Sequence, residues 1–166
     1  MSVDEATIAL FLDNAAKSAA VTHRAAGGEE LRSILSEIIA GDADVFCPRV
    51  TELEKTAAEG RARLVPEYTT ARVTVEEVSA AIAETGSIVC ASSGGKVVQA
   101  SLLPSQHVAI VPRDRIFATL DAFFAGHAAT PPTNLTIITG PSRTADIELN
   151  LVIGVHGPER LDIIVI

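Results

Sequence analysis

The sequence has few cysteines, a deficit of basic residues and no long apolar run. Two cysteines, Cys47 and Cys90, are too few for a disulfide framework, a four-thiolate iron–sulfur cluster or a four-thiolate zinc site. Thirteen Lys and Arg against 21 Asp and Glu give a net charge of −8. This balance disfavours a general binder of nucleic acid or anionic membranes, because both require positive surface potential. We therefore expect neither partner.

Signals for export or membrane insertion are also missing from the printed sequence. No apolar run approaches the roughly 18–20 residues that span a bilayer. The first residues, Met-Ser-Val-Asp-Glu, lack the basic segment that opens a secretory signal. We expect a cytoplasmic, soluble and reduced protein.

What is present indicates a globular protein, because 48% of the 166 residues are apolar and 20% are charged. The length predicts a single domain over residues 1–166. Residues 1–60 are expected to be mainly helical, with apolar residues at helical spacing in 4–20 and 29–40. Residues 61–166 are expected to form an α/β core.

Helical and strand patterns alternate through the core. Apolar runs predict strands at 45–47, 87–91, 107–111, 135–138 and 161–166, and helical spacing predicts helices at 51–60, 75–84, 116–125 and 143–153. The turn at 92–95 and the run 96–103 predict a hairpin with strand 87–91. Several strands are apolar throughout, so we predict a largely parallel α/β sheet with one hairpin.

The turn that follows strand 135–138 is the strongest candidate site. In open α/β sheets ligands bind beyond the carboxyl ends of strands, and a helix N-terminus there offers free N–H groups. Gly140, Ser142, Arg143 and Thr144 are therefore predicted to bind a phosphate or carboxylate. The alternative is structural: Ser142 caps the helix, and Arg143 pairs in solvent with an acidic residue of the same helix.

A second candidate is the glutamate that ends the predicted helix 75–84. Glu84 lies at the negative end of that helix and is followed by Thr85 and Gly86. Glu84 is a candidate for acid–base work, with Thr85 and Gly86 beside the ligand. The alternative is an exposed glutamate before a glycine that stops the helix.

The histidines do not indicate a metal site, because no two of the four have the HxxxH or HxH spacing. His107, beside an apolar strand, is expected to be a hydrogen-bonded structural residue. His156, between two glycine-containing turns, is a candidate for facing the ligand pocket. Cys90 lies in a predicted apolar strand and is expected to be buried.

Four motifs in order make the sequence recognisable. They are Ile-Ala-Glu-Thr-Gly-Ser at 82–87, Ser-Leu-Leu-Pro at 101–104 with His107, Gly-Pro-Ser-Arg-Thr-Ala-Asp-Ile-Glu at 140–148, and Gly-Val-His-Gly-Pro at 154–158. With these motifs the chain resembles the LUD-domain family, of the lactate utilization protein C type. The resemblance covers residues 73–166, and the first 70 residues resemble the family only through their helices.

The resemblance implies a Rossmann-like fold similar to ribose-5-phosphate isomerase and the CoA transferases. It also implies an accessory subunit of an iron–sulfur-dependent L-lactate oxidation system that works with two iron–sulfur partner proteins. The clusters are expected on the partners, so this chain is expected to hold no cofactor, and its ligand would be a small anion.

Two other functions stay open. A stand-alone enzyme of the same fold would act on a phosphorylated or CoA-linked small molecule, with Glu84 as base or nucleophile. A regulatory or scaffolding module would carry an inert pocket.

Overall fold

The protein is described by a computed structural model that covers residues 3–166 except 40, 42, 49, 61, 93–95, 128–131, 146–150 and 154–156. For residues 57–58, 96–97, 127, 144–145 and 151–153 only the backbone is described. The helices are α1 (Glu5–Lys17), α2 (Gly28–Ile38), α3 (Thr51–Ala58), α4 (Lys96–Leu102) and α5 (Leu120–His127). The strands are β1 (Val21–Arg24), β2 (Asp44–Phe46), β3 (Arg63–Leu64), β4 (Val73–Glu77), β5 (Ala80–Ile82), β6 (Ser87–Ser92), β7 (Gln106–Val111), β8 (Ile116–Phe117), β9 (Asn134–Ile138), β10 (Arg143–Ala145), β11 (Leu151–Ile153) and β12 (Arg160–Val165).

Within the described chain, six strands form a parallel sheet in the order β1-β12-β7-β4-β2-β3. The central strands β7 and β12 are buried almost throughout, because helices cover both faces of the sheet. Phe11 of α1 packs on one face with Ile163, while Leu35 of α2 and Leu53 of α3 pack on the other. The predicted α/β fold with a largely parallel sheet is confirmed.

A smaller four-stranded sheet in the order β8-β5-β6-β9 adjoins the main one among the described residues. Strands β5 and β6 form an antiparallel hairpin through the turn at 83–86, and β9 pairs antiparallel with β6. Phe123 of α5 packs on this sheet with Ile82 and Val89. The hairpin predicted between 87–91 and 96–103 is wrong, because the second segment is helix α4.

The predicted helix 75–84 is also wrong. Its residues form β4 and β5, joined by Val78 and Ser79. Thr74, the residue before that predicted helix, is buried inside β4. The β-branched side chains at 73–75 favour a pleated surface, and the sheet buries both faces of β4 at once.

The predicted helix 143–153 is wrong as well. Residues Arg143–Ala145 and Leu151–Ile153 are antiparallel strands β10 and β11, with Arg143 opposite Ile153. No helix therefore begins at Ser142 in the described structure, and the amide groups of a helix N-terminus are not available to a ligand there.

The remaining predicted elements are confirmed with shifts of their ends, the largest at α5, where residues 116–117 of the predicted helix form β8 instead. They include α1, α2, α3, α5, β2, β6, β7, β9 and β12. Strand β1 was not predicted, and together with β2 it carries the first 60 residues into the main sheet. The single-domain boundary at 1–166 stays a prediction.

Candidate functional site

Two of the predicted ligand-binding glycines lie against the C-terminal end of α1. Gly86 has φ +67° and Gly140 has φ +81°, the left-handed region that favours glycine. A Cβ on Gly86 would lie 2.2 Å from the backbone nitrogen of Ala15, and one on Gly140 would lie 2.1 Å from the carbonyl oxygen of Ser18. The space beside both glycines is therefore filled by α1 backbone rather than open to a ligand.

A row of hydroxyl groups joins the two glycine turns. The Ser87 hydroxyl donates to Thr85 Oγ1 over 2.7 Å, and it lies 2.7 Å from the hydroxyl of Thr139. Asn14 of α1 donates through Nδ2 to the carbonyl oxygens of Ala83 and Glu84, over 2.9 and 3.2 Å. The structure thus brings Thr85, Gly86 and Gly140 together around the end of α1.

Glu84 lies in the turn between β5 and β6 and not at a helix end. Its side chain is exposed, and Oε1 accepts a hydrogen bond from the backbone N–H of Leu120 over 2.6 Å. Since Leu120 begins α5, the carboxylate caps that helix and complements its positive end. The partner of the Glu84 carboxylate is therefore the N-terminus of α5. A catalytic role for Glu84 stays a prediction.

Ser142 and Arg143 lie beyond Gly140, beside the segment that leads into β12. The Ser142 N–H donates to the carbonyl oxygen of Pro158 over 2.8 Å. A Cβ on Gly157 would lie 3.1 Å from the Ser142 Cβ, so the two segments are in close contact. Arg143 opens β10 and is exposed to solvent. An exposed guanidinium beside this contact is compatible with anion binding, although the helix dipole expected there is missing.

Two predicted site residues lie partly or wholly outside the described structure. Thr144 belongs to β10 by its backbone, and its side chain is outside the described part. His156 lies outside the described residues, as do the acidic residues 146 and 148 that were the alternative partners of Arg143.

The structure contains a cluster of buried polar side chains that the sequence patterns did not predict. Glu76 of β4, Cys90 of β6, His107 of β7 and Ser101 of α4 meet beneath α4. Glu76 Oε1 lies 3.0 Å from His107 Nε2 and 3.5 Å from Cys90 Sγ, and it accepts a hydrogen bond from the Ser101 hydroxyl. We call these four residues the buried cluster.

The sequence patterns gave separate expectations for Cys90 and His107 and none for the buried cluster as a whole. Cys90 is buried as expected. His107 is buried too, and its Nε2 contacts the Glu76 carboxylate, whereas its Nδ1 has no hydrogen-bond partner among the described residues. Glu76 was placed on a helix that does not exist. The available signal was a glutamate directly after the β-branched run 73–75, because a strand covered on both faces buries that carboxylate.

The surroundings shift the pKa of two members of the buried cluster. Burial raises the pKa of Glu76, but its contacts with His107, Ser101 and Cys90 outweigh burial, so the pKa lies below its usual value. Burial, reinforced by the negative charge of Glu76, raises the pKa of the Cys90 thiol well above its usual value. The cluster therefore holds a carboxylate beside a protonated thiol.

Two cavities lie near these elements. One, of about 30 Å³, is lined by Glu76, Cys90, Ser79 and Pro48 and is large enough for a water molecule. The other, of about 200 Å³, lies at the carboxyl ends of β4, β7 and β12, where open α/β sheets bind ligands. Its two carboxylates are paired, Glu77 with Arg115 over 2.8 Å and Glu52 with Lys55 over 3.1 Å.

The fold defines an α/β protein with a parallel sheet and a smaller, mainly antiparallel extension. The family profile described as LUD domain matches residues 43–166. The chain belongs to the LUD domain family, as its four motifs suggested.

Relatives and a solved structure agree with this assignment. The chain is 36% identical over 110 residues to "Lactate utilization protein C" of Halalkalibacterium halodurans, covering 63% of this chain and 48% of that protein. It is 37% identical over 94 residues to the protein of the same name in Bacillus subtilis, covering 53% of this chain and 38% of that protein. The chain thus spans about half the length, or less, of these curated relatives.

A crystal structure of a DUF162 family protein from Deinococcus radiodurans shares the fold, with a TM-score of 0.73 and 24% identity over 98% of both chains. In the part of the chain that the structure describes, each helix is too short or too polar to cross a bilayer.

Proposed function

We propose that this chain serves lactate utilization as an accessory subunit of an iron–sulfur-dependent L-lactate oxidation system. The observation that carries the proposal is its similarity, at 36–40% identity, to several proteins named lactate utilization protein C. Two iron–sulfur proteins would be its partners, and a small anion such as the substrate carboxylate would be its ligand. The chain would work in the cytoplasm.

The cysteines support placing the clusters on the partner proteins. Protein-bound iron–sulfur clusters are held by four cysteines in most cases, whereas this chain has two. Cys47 follows β2 and Cys90 lies inside β6, on different elements of the fold. A role in binding substrate or product, rather than in carrying electrons, fits this composition.

Arg143 supports the binding of an anion. Its side chain is exposed at the start of β10, beside the contact between Ser142 and Pro158. A guanidinium presents several N–H donors in a plane and binds a carboxylate with two parallel hydrogen bonds. Thr144 and His156 remain candidate neighbours of the same ligand, and Thr85, Gly86 and Gly140 shape the turns that lead to it.

Growth on L-lactate tests this proposal. We expect deletion of the gene to abolish growth of the host on L-lactate while growth on glucose continues. The wild-type gene should restore growth, and Arg143→Ala should restore it poorly because the anion loses its guanidinium. Arg72→Ala removes another exposed arginine and should restore growth fully.

Equal rescue by both arginine variants would contradict the anion role of Arg143. Normal growth of the deletion strain on L-lactate would contradict the proposal as a whole. That outcome would favour the alternative, a stand-alone enzyme acting on a phosphorylated or CoA-linked molecule. The alternative draws support from Glu84, whose exposed carboxylate is accessible for use as a base or nucleophile.

A further inference from the structure

Three side chains in the buried cluster offer a set of metal ligands. Glu76, Cys90 and His107 come from adjacent parts of the two sheets, and one ligand atom of each lies within 4.8 Å of the other two. The side chains are almost inaccessible, with exposed fractions of 3% for Glu76, 1% for Cys90 and 0% for His107. Strands rather than loops hold all three, so their positions are fixed by the sheets.

The placement of His107 supports the same site. Its Nε2 is buried 3.0 Å from Glu76 Oε1, without a well-aligned hydrogen bond between the two atoms. A cation placed between them would bind the imidazole nitrogen and the carboxylate together.

The distances fit a tetrahedral metal ion. With bond lengths of about 2.3 Å to sulfur and about 2.0 Å to nitrogen or oxygen, neighbouring ligand atoms are separated by about 3.5 Å when sulfur is one of them and about 3.3 Å otherwise. The corresponding distances from Glu76 Oε1 are 3.5 Å to Cys90 Sγ and 3.0 Å to His107 Nε2. All three ligand atoms lie within 4.8 Å of one another, so Cys90 and His107 would close toward an ion bound between them.

The charges also fit a divalent ion. On metal binding the Cys90 thiol would release its proton to solvent, as coordinating thiols do. The carboxylate, the thiolate and a neutral imidazole then carry two negative charges, so a divalent cation leaves the buried site neutral. Nitrogen, sulfur and oxygen ligands together are characteristic of Zn²⁺.

The surroundings supply the remaining features of such a site. The cavity of about 30 Å³ opens onto Glu76 and Cys90 and has room for one water molecule as fourth ligand. The Ser101 hydroxyl donates to the Glu76 carboxylate and would hold it in position, as outer hydrogen bonds do around metal sites.

We propose that Glu76, Cys90 and His107 bind one Zn²⁺ ion, with a water molecule from the adjoining cavity as the fourth ligand. Three protein ligands and one exchangeable position are the arrangement of zinc sites that act on a substrate or polarise a bound water. The site goes beyond the proposed role in lactate utilization and does not depend on it. It also runs against the absence of a metal site that histidine spacing predicted.

Cobalt(II) is the probe, because it enters zinc sites and is coloured. Purified full-length protein is stripped with a chelator under reducing, anaerobic conditions and titrated with Co²⁺. We expect one equivalent to bind, with a near-ultraviolet thiolate-to-cobalt charge-transfer band and the visible bands of tetrahedral cobalt. Zn²⁺ should then displace the cobalt and abolish both sets of bands.

Variants assign the bands to the three residues. Cys90→Ser should lose the charge-transfer band, whereas Cys47→Ser, which removes the other cysteine, should keep it. Glu76→Gln and His107→Gln should weaken binding by roughly tenfold or more, because each removes one ligand. Circular dichroism checks that each variant is folded.

The wild-type titration alone can overturn the proposal, whether or not the variants fold. It is overturned if the wild-type protein shows no saturable band from a thiolate bound to cobalt. Loss of the band in Cys47→Ser, or its persistence in folded Cys90→Ser, would overturn the assignment of the ligands.

Discussion

Gly86 and Gly140 are held in left-handed backbone against the last turn of α1, and their missing side chains let two turns approach the helix backbone. Their place in the family's motifs therefore has a structural cause that acts whether or not a ligand binds nearby. That Gly86 and Gly140 contact a ligand, as their motifs predict, stays a prediction. Packing of α1 against the two turns accounts for their conformation without a ligand.

Alanine at these glycines should be far more costly than at a glycine in open space. Gly86→Ala or Gly140→Ala should lower the free energy of unfolding by about 3 kcal/mol or more, because backbone strain adds to a clash with α1. Gly60 is the matched control, since it has φ +78° and nothing within 4 Å of an added Cβ. Gly60→Ala should cost about 1 kcal/mol, from strain alone.

Urea unfolding of the three variants measures these differences. Similar losses for all three would show that strain alone governs the glycines and that the contacts with α1 contribute nothing.

The sequence does not predict that the residues of the buried cluster lie close together. Glu76, Cys90 and His107 are 14 to 31 positions apart along the chain and meet only because β4 pairs with β7 and β6 packs beside them. Metal motifs are recognised by short spacings on one element. A site assembled from three strands has no such spacing, so only the topology reveals it.

At the level of elements, α5 shows how one side chain links two structural units. Thr119 accepts a hydrogen bond from the Ala122 N–H over 3.1 Å, and Glu84 accepts from the Leu120 N–H. The turn between β5 and β6 is thereby attached to the start of the helix. Glu84 was predicted as an acid–base candidate because it ended a predicted helix. In the structure its carboxylate caps the start of α5 instead.

Removing this cap should weaken α5 modestly. Glu84→Ala should lower the free energy of unfolding by about 1 kcal/mol, the usual cost of a lost cap, and Thr119→Ala should have a similar effect. Glu84→Gln keeps an acceptor oxygen and should lose less. Thermal and urea unfolding measure the three variants.

The same variants separate structure from catalysis. If Glu84→Gln remains as stable as the wild type but fails to support growth, the carboxylate has a chemical role as well. A stable Glu84→Ala variant would instead show that the hydrogen bond to Leu120 does not support the helix.

Two of the segments assigned to the wrong class show how tertiary packing decides between structures. Val75, Val78 and Ile82 have helical spacing, yet they lie in or between strands because β-branched residues suit a sheet that covers both of their faces. Residues 96–102 were predicted as a strand from the preceding turn residues, yet they form α4 with Val98 and Ser101 facing inward. Local patterns permitted both structures, and tertiary packing chose between them.

For the whole molecule, one buried carboxylate connects several strands of the main sheet. Asp162 of β12 is fully buried and accepts from Arg160 Nε and Nη2, over 2.8 and 2.7 Å, and from Gln106 Nε2, over 2.7 Å. Gln106 also reaches the carbonyl oxygen of Ile38 at the end of α2. His23 of β1 lies 3.6 Å from the same carboxylate.

Loss of this carboxylate should destabilise the whole protein. Asp162→Ala should lower the free energy of unfolding by about 2–4 kcal/mol, because the hydrogen bonds from Gln106 and Arg160 to a fully buried carboxylate are lost. Asp44→Ala is the control, since Asp44 pairs with exposed Arg63 over 2.7 Å and should cost about 1 kcal/mol or less. Urea unfolding compares the two. Equal losses would mean that burial of Asp162 adds nothing.

The class of the fold was predictable because apolar strands alternate with helices throughout the chain. Its topology was not predictable. Strand β1 pairs with β12, which is more than 130 residues away in the sequence, and no pattern within either strand identifies its partner. The candidate site was predictable in part: the motif residues Thr85, Gly86 and Gly140 do meet. The helix expected after Ser142 does not exist, so the anion proposal now depends on Arg143.

The position of α1 has a consequence for biosynthesis. Helix α1 is synthesised before its partners, since Asn14 donates a hydrogen bond to Ala83 69 residues later and Phe11 packs with Ile163 of β12. Contacts so distant in sequence form slowly. Until β12 is synthesised, the apolar side of this helix lacks its native cover, so the growing polypeptide is a natural client for chaperones that shield exposed apolar segments.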